Sequence, residues 1–442
     1  MPPSNCFPVP NPGECFWQTE PHELNDFRST EQLPEHADIV IIGAGYAGAS
    51  TAYHLLRDHG ERIKSITILE ARGACSGATG RNGGHLRPDF YGHIPTYVDR
   101  AGVRAGAEIA EFEISHLHAM KKVIEEENID CDFTLARSID VWCNEEAAQK
   151  AKAVYERMKS LDLEYMNDVA FYTGKNVEGI CGVKGALACA SFTAGTMWPY
   201  KFILHILKSS LATGKLNLQT FTTATAIKPS TEGGYSIETP AAQFTPAPSS
   251  TPTMPTSPKN IIPCKGICCR ITVPEGTTAP LLNNSYINRT EDNTLSYLIP
   301  RPDGSIIVGG ASSKFRPFQD QWYNNVDDSI LIDSAKDYYD GYMQRTYRGW
   351  ENSGAHVDKI WTGVMGYSYD SNPHIGAVPG KNDQFILAGF NGHGMPVIWR
   401  SAQELARMVV EKTTQFRIDR AMNGKESDGD ILGTGNFPST KP

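Results

Sequence analysis

The chain has 442 residues, 40% of them hydrophobic, and a formal net charge of −9. That length supports one large domain or two intertwined ones around a sizeable core. The acidic balance disfavours a nucleic-acid partner, since phosphate binding relies on a basic surface, and no run reaches the ~20 apolar residues of a membrane-spanning helix.

Residues 1–36 are rich in proline and polar residues, with no basic stretch leading into an apolar core, so they do not read as a secretory signal. They are expected to form an arm that wraps the domain irregularly or is partly disordered. Without an export signal, the N-x-S/T matches at Asn283 and Asn288 read as chance. The ten cysteines, which lack C-x-x-C zinc spacing, read as reduced thiols of an intracellular protein that holds no metal.

The character changes at "ADIVIIGAGYAGASTAYHLLRDHG". Asp38–Ile42 is a short β-branched run, predicted to be a strand buried on both faces. Gly43-Ala44-Gly45-Tyr46-Ala47-Gly48 then supplies G-x-G-x-x-G, followed by a helical pattern with Ala52, Leu55 and Leu56 on one face. The first glycine permits the tight turn, the second lets the backbone approach a pyrophosphate, and the third lets helix and strand pack closely. "SITILEAR" is the next strand, ending at Glu70, about twenty residues past the motif, where a carboxylate accepts hydrogen bonds from an adenosine ribose. Strand, turn, helix and acid together predict a parallel α/β sheet that binds a dinucleotide. The loop "RGACSGATGRNGGHL" follows at once, and its small residues permit close approach to a flavin ring. No second G-x-G-x-x-G marks a nicotinamide site.

Arg104–Glu127 is predicted to be a long amphipathic helix whose Glu111, Glu113, His116 and His118 form a solvated face. "SIDVWCNEEAAQKAKAVYERMKSLDL" reads as strand, turn and helix, "GTMWPYKFILHILKSSLA" as a helix start and apolar helix. "YLIPRPDGSIIVGGA" is a hairpin turning at Pro302, Asp303 and Gly304, and "SAQELARMVVEKT" a closing helix before a disordered tail. Residues 240–258 carry prolines at 240, 246, 248, 252, 255 and 258 and no charge, a composition expected of a surface loop rather than a central strand.

Three stretches, "DIVIIGAGYAGASTAYHL", "SGATGRNGGHL" and "WTGVMGYSYDSNPHIGAVPGKNDQFILAGFNGHGMPVIWRSAQELA", resemble the FAD-dependent oxidoreductases of the D-amino-acid oxidase (DAO) type. The "GRNGG" run looks most like the γ-glutamylputrescine oxidase branch, near the glycine and sarcosine oxidases. The resemblance implies an α/β fold of two interleaved domains, one a Rossmann-like FAD-binding domain and the other a sheet-based substrate domain. Along the chain the expected parts are the arm 1–36, FAD domain 37–100, mixed helical and substrate segments 101–200, and an FAD-domain return 201–262. Then follow substrate domain 263–355, FAD domain 356–415 and tail 416–442. It further implies FAD as cofactor, a small-molecule amine oxidised at its C–N bond to an imine, and O2 as the acceptor that yields H2O2.

The cofactor residues implied are Gly43 to Gly48 inclusive, Glu70, Ala71, Arg72, Thr79, Arg81, Asn82, Gly83, Gly84 and His85 in the first half. In the second loop they are Gly389, Phe390, Asn391, Gly392, His393, Gly394 and Met395. His85 has two readings beside a bland loop histidine: a covalent bond to the flavin methyl, as in dimethylglycine dehydrogenase, or a non-covalent contact. The catalytic candidates are His393, Tyr367 and Trp198, with Trp361 and Tyr369 as further aromatic walls for an ammonium group.

Departures narrow the resemblance. Met365 stands where glycine oxidase places its carboxylate-binding arginine, which favours an amine without an adjacent carboxylate. Val364 falls near the flavin-bonding cysteine of monomeric sarcosine oxidase, and "SIIVGGA" lacks that enzyme's oxygen-activating lysine. Two alternatives follow: a dehydrogenase using another acceptor, or a non-catalytic member whose segment 240–258 weakens FAD binding.

Overall fold

The computed structural model describes residues 7–20, 22–231, 233–240, 243–244, 251–252 and 261–417. In chain order its strands are β1 (Ile39–Ile42), β2 (Ile66–Leu69), β3 (His85–Leu86), β4 (Thr134–Trp142), β5 (Ala170–Thr173) and β6 (Ala188–Thr196). Next come β7 (Leu216–Gln219), β8 (Ala226–Pro229), β9 (Tyr235–Glu238), β10 (Gln243–Phe244), β11 (Thr251–Pro252) and β12 (Ile261–Thr272). The last are β13 (Ser285–Arg289), β14 (Leu295–Pro300), β15 (Ile306–Gly310), β16 (His356–Ser368), β17 (His374–Ala377) and β18 (Gln384–Ala388). The long helices are α1 (Tyr46–His59), α2 (Ile94–Ala101), α3 (Val103–Glu126), α4 (Glu145–Ser160), α5 (Pro199–Ala212) and α6 (Ile398–Glu411).

β1 pairs in parallel with β2, and β2 with β7, with Ile39 opposite Ile66 and Ile66 opposite Leu216. This is the βαβ unit read from the sequence: both strands are β-branched because helices cover both faces. α1 packs against α5 and α6. β11 pairs in parallel with β18 and lies beside β1, so the two small sheets line up as one nucleotide-binding layer.

β11 corrects one expectation. Two residues of the proline-rich segment do form a strand inside this layer, a ladder short enough that a single missing proline N–H does not prevent it. β10 pairs with β9; the remainder of 241–258, like the tail after residue 417, lies outside the described residues.

The second layer is a nine-stranded sheet ordered β16-β12-β15-β14-β13-β4-β6-β3, with β5 paired to β6. Its period-2 alternation divides two cores. Cys268, Ile299, Ile307 and Trp361 face the nucleotide layer and join its core, whereas Ile267, Cys269, Leu298, Val308 and Tyr286 face away into a separate one. The β14–β15 hairpin turns where expected, with Arg301 N–H donating to the Ser305 carbonyl.

The N-terminal arm inserts Phe16 and Trp17 into the first core. α3 matches the predicted helix within a residue, but Glu113 and His116 are buried rather than solvated, unlike Glu111 and His118. The helix is clasped by α2 on one side and α6 on another, so more than one stripe of it is covered. No helix among the described residues is long and apolar enough to cross a membrane, and no metal-holding cluster of His, Cys, Asp or Glu occurs among them. All nine described cysteines are free thiols.

Candidate functional site

The glycine motif forms the expected turn. Gly43 has φ +102° and donates its N–H to the Leu69 carbonyl (2.8 Å), closing the end of β1 against β2. Gly48 is obligatory by contact, since a Cβ there would lie 2.0 Å from the Gly43 carbonyl oxygen. Gly45 is the N-cap of α1 and offers no side-chain cap, so the first-turn amides after Tyr46, whose N–H goes to Thr79, remain an anion-binding terminus. Glu70 sits beside it, accepting the Ala44 N–H (2.8 Å) and the Arg72 N–H (2.9 Å) on its two oxygens. Burial raises the Glu70 pKa against these stabilising bonds. Tyr46 donates its N–H to Thr79 Oγ1 (3.0 Å), which ties the motif to the following loop, while its phenol points into the core at Met120. Ala47 packs on the same core.

That loop is held by a buried ion cluster. Arg72 forms a forked pair with Asp328 (2.9 and 3.1 Å), and Arg81 places Nε 3.5 Å from the same carboxylate. Arg81 also donates to the carbonyls of Thr362 (2.6 Å) and Gly13 (2.7 Å). Both guanidinium groups therefore fasten the loop to the arm, and Arg81 to β16 as well, instead of reaching outward. Beyond them Gly84 adopts φ +73°, and a Cβ on Gly83 would strike the Tyr297 ring at 2.5 Å. Asn82 accepts the Gly84 N–H (2.7 Å) and lies 3.6 Å from Met395 Sδ, so the two flavin-type loops meet here.

The second loop turns through positive φ at Gly389, Asn391 and Gly392. Asn391 fixes it by donating its N–H to the Gly366 carbonyl (3.0 Å) and accepting the Ser368 N–H (2.8 Å). Phe390 and Met395 pack on the first core, and Gly394 lies close to Ile398 at the start of α6. A Cβ on Gly392 would stand 3.0 Å from the Tyr367 hydroxyl. Tyr367 is 38% exposed and Tyr369 79%, so both offer open aromatic surface.

The other two aromatic candidates do not. Trp198 is enclosed between Arg301 (4.6 Å from the ring centroid) and Lys201 (4.2 Å), its indole N–H on the Trp17 carbonyl. Trp361 is equally buried and donates to the Arg81 carbonyl (2.8 Å). Neither has a free face for a substrate.

His85 and His393 are shifted in opposite directions. His85 Nε2 lies 2.7 Å from Ser285 Oγ on β13, and burial, aided by Arg87 and His393, lowers its pKa to about 3, so the ring is neutral. His393 Nε2 lies 2.8 Å from Glu113 Oε2; burial pulls its pKa down, but the charge and hydrogen bond of Glu113 prevail and the net shift is upward. Sequence reading missed Glu113, Ser285 and Tyr297, whose hydroxyl is 2.7 Å from Cys268 Sγ. Only the alternation of β14 hinted that Tyr297 faces the nucleotide layer.

A parallel nucleotide layer with an open helix terminus, an acid at the end of its second strand and a large sheet closing over two glycine loops defines a dinucleotide-dependent oxidoreductase. The chain belongs to the FAD-dependent oxidoreductase (DAO) family, whose model matches residues 38–408, and FAD is its cofactor. It is 31% identical over 99 residues to a probable oxidoreductase, OrdL, of Haemophilus influenzae, and 29% identical over 96 residues to γ-glutamylputrescine oxidoreductase of Escherichia coli. Each match spans 22% of this chain and 22% of the relative. Among solved structures, glycine oxidase from Geobacillus kaustophilus superposes with TM-score 0.68 at 17% identity, covering 90% of this chain and 100% of that one. L-Proline dehydrogenase from P. horikoshii gives 0.67 at 18% identity, covering 88% and 97%. At those identities the likeness is one of fold.

Proposed function

We propose that the enzyme oxidises the C–N bond of a small primary, secondary or N-methyl amine to an imine, with O2 as final acceptor. The observation that carries this reading is the meeting of the two glycine loops, Asn82 against Met395, beneath the sheet face that bears Tyr297 and Tyr367. The FAD-binding residues fit: the terminus of α1 suits the pyrophosphate and Glu70 the ribose, while Gly83, Gly84 and Gly392 let the two loops pack closely against Tyr297, Met197 and Tyr367. Bound there, FAD would supply a two-electron acceptor for the hydride of the C–H next to nitrogen, with O2 as its reoxidant and H2O2 as the product. The protein's share is positioning. Tyr367 and Tyr369 offer π-faces to an amine or its ammonium form, and His393 supplies a donor or charge at the second loop. Water then hydrolyses the released imine.

Two further points support an amine. Residues 361–373 contain no basic side chain to hold a carboxylate, and relatives named for γ-glutamylputrescine, glycine and L-proline take their names from compounds that contain a C–N bond. A second reading, a dehydrogenase with another acceptor, is favoured by the absence of lysine from residues 305–311. An amine panel tests both. Under anaerobic conditions at least one amine should bleach the flavin, and admitting air should restore the colour with peroxide release. Bleaching reversed only by an added dye acceptor would select the dehydrogenase. Failure of every amine to bleach a fully loaded protein would overturn the proposal.

A further inference from the structure

We propose that Glu113 is a positioning residue for this site: its carboxylate holds His393 Nε2, orients the ring, favours its cationic form and leaves Nδ1 as the free end. The inference rests on the reading that His393 serves the bound flavin.

Glu113 lies on α3, is 5% exposed, and belongs to a different part of the chain from either glycine loop. One oxygen, Oε2, accepts both the Asp89 N–H (2.7 Å) and the His393 Nε2–H (2.8 Å). Among the described residues no lysine or arginine pairs with Glu113; the ring of His393 is its only ion-pair partner. A buried carboxylate without a countercharge is costly, and the charge and hydrogen bond of Glu113 favour the protonated imidazole. Because Nε2–H is committed to Glu113, only Nδ1 is left to face a ligand. Among the described residues it has no protein partner, and about a third of the side chain is open. A cationic donor fixed there would stabilise the negative charge of a reduced flavin without any rearrangement.

The surrounding charges act in both directions. From the strand that ends at Leu86 and the segment after it, His85 is neutral, Arg87 opposes protonation of His393, and Asp89 favours it. His93 opens α2, is itself paired with Asp89 (2.8 Å), and has its ring 6.5 Å from that of His393. His116, one turn further along α3, is uncharged and bonded to the Phe112 carbonyl and the Arg400 N–H. Glu113 is the one anion in direct contact with His393.

Glu113→Gln tests this, because the amide keeps the shape and an acceptor for the Asp89 N–H but removes the charge. The His393 ring is followed by proton–carbon NMR against pH in the FAD-loaded protein, with His393→Asn for assignment. In the wild type its midpoint should lie above that of an ordinary histidine, and in Glu113→Gln proton affinity should fall about tenfold or more, one pH unit. The flavin reduction potential should fall with it, while Glu113→Asp retains part of both. A wild-type midpoint below the ordinary value, or one unchanged by Glu113→Gln, would overturn the inference, and the first outcome holds even if the variant fails to fold. If the midpoint and potential move as stated but no amine bleaches the flavin, the inference stands and the amine substrate is wrong.

Discussion

The third glycine of the nucleotide turn offers the sharpest test of how the fold makes its cofactor site. In Gly48→Ala the new Cβ meets the Gly43 carbonyl oxygen at 2.0 Å and Ile41 Cγ2 at 3.1 Å, the first roughly 1.5 Å inside van der Waals contact. The oxygen belongs to backbone pinned by the Gly43–Leu69 hydrogen bond, so α1 must give way, moving its first turn outward by about an ångström. Overpacking of this kind costs about 1–3 kcal/mol of stability. The same shift draws the first-turn amides away from a phosphate, and losing one charge-assisted hydrogen bond, about 1.5–3 kcal/mol, raises the FAD dissociation constant about ten- to a hundredfold. Fluorescence titration of apoprotein with FAD measures it, with a urea unfolding curve run in parallel. Gly60→Ala is the matched control, at the other end of α1, with a helical φ of −56° and nothing within 4 Å of the added methyl. If Gly48→Ala binds FAD as tightly as Gly60→Ala, the contact argument is refuted.

Other consequences are equally concrete. Asp328→Asn leaves Arg72 and Arg81 buried without their carboxylate and should cost about 3–5 kcal/mol, lowering the urea midpoint with an unchanged slope; a loss below 1 kcal/mol would show the clamp to be slack. His85 is neutral with Nε2 held by Ser285, so the flavin should wash out of acid-precipitated protein, and yellow colour left in the pellet would establish the covalent alternative. His116 is buried with its pKa lowered from 6.5 to about 3. The unfolded chain therefore binds the extra proton between those values, and this contribution to stability is full above pH 6.5 and is lost as the pH falls toward 3. His116→Gln should flatten the decline in unfolding free energy between pH 6 and pH 4 by up to about 1.4 kcal/mol per pH unit; an identical slope would count against it.

The βαβ unit was legible because its signals are local. β-branched runs, three glycines and an acid lie within about thirty residues, and each has one structural meaning there. The hairpin at Pro302–Gly304 and the length of α3 were legible for the same reason. Burial of Glu113 and His116 was not, because a polar residue on a helix clasped from two sides looks like one on a solvated face until the partner helices are known. Arg81 was read as an anchor near the cofactor, but its partners, Gly13, Asp328 and Thr362, are far away in sequence. Trp198 and Trp361 drew interest as aromatics in matched stretches, and nothing in their neighbours foretold the cations and carbonyls that enclose them. β11 was hidden by the prolines of its segment, a composition that argues for a loop.

The clamp on the loop after β2 also bears on the order in which the molecule matures. Asp328 is 256 positions from Arg72, and Trp361 is 280 from the Arg81 carbonyl it holds. Closing contacts so distant is slow, and chains of this size commonly pass through partly folded states. During synthesis the glycine turn can form within the first seventy residues, yet its companion loop has no countercharge until the last third of the chain has emerged. Two arginines needing burial beside an unmade partner keep that loop open in every shorter intermediate. Tight retention of FAD should therefore report that the chain has folded through β16, and a molecule unfinished or clipped before that strand should release its cofactor before it loses its first sheet.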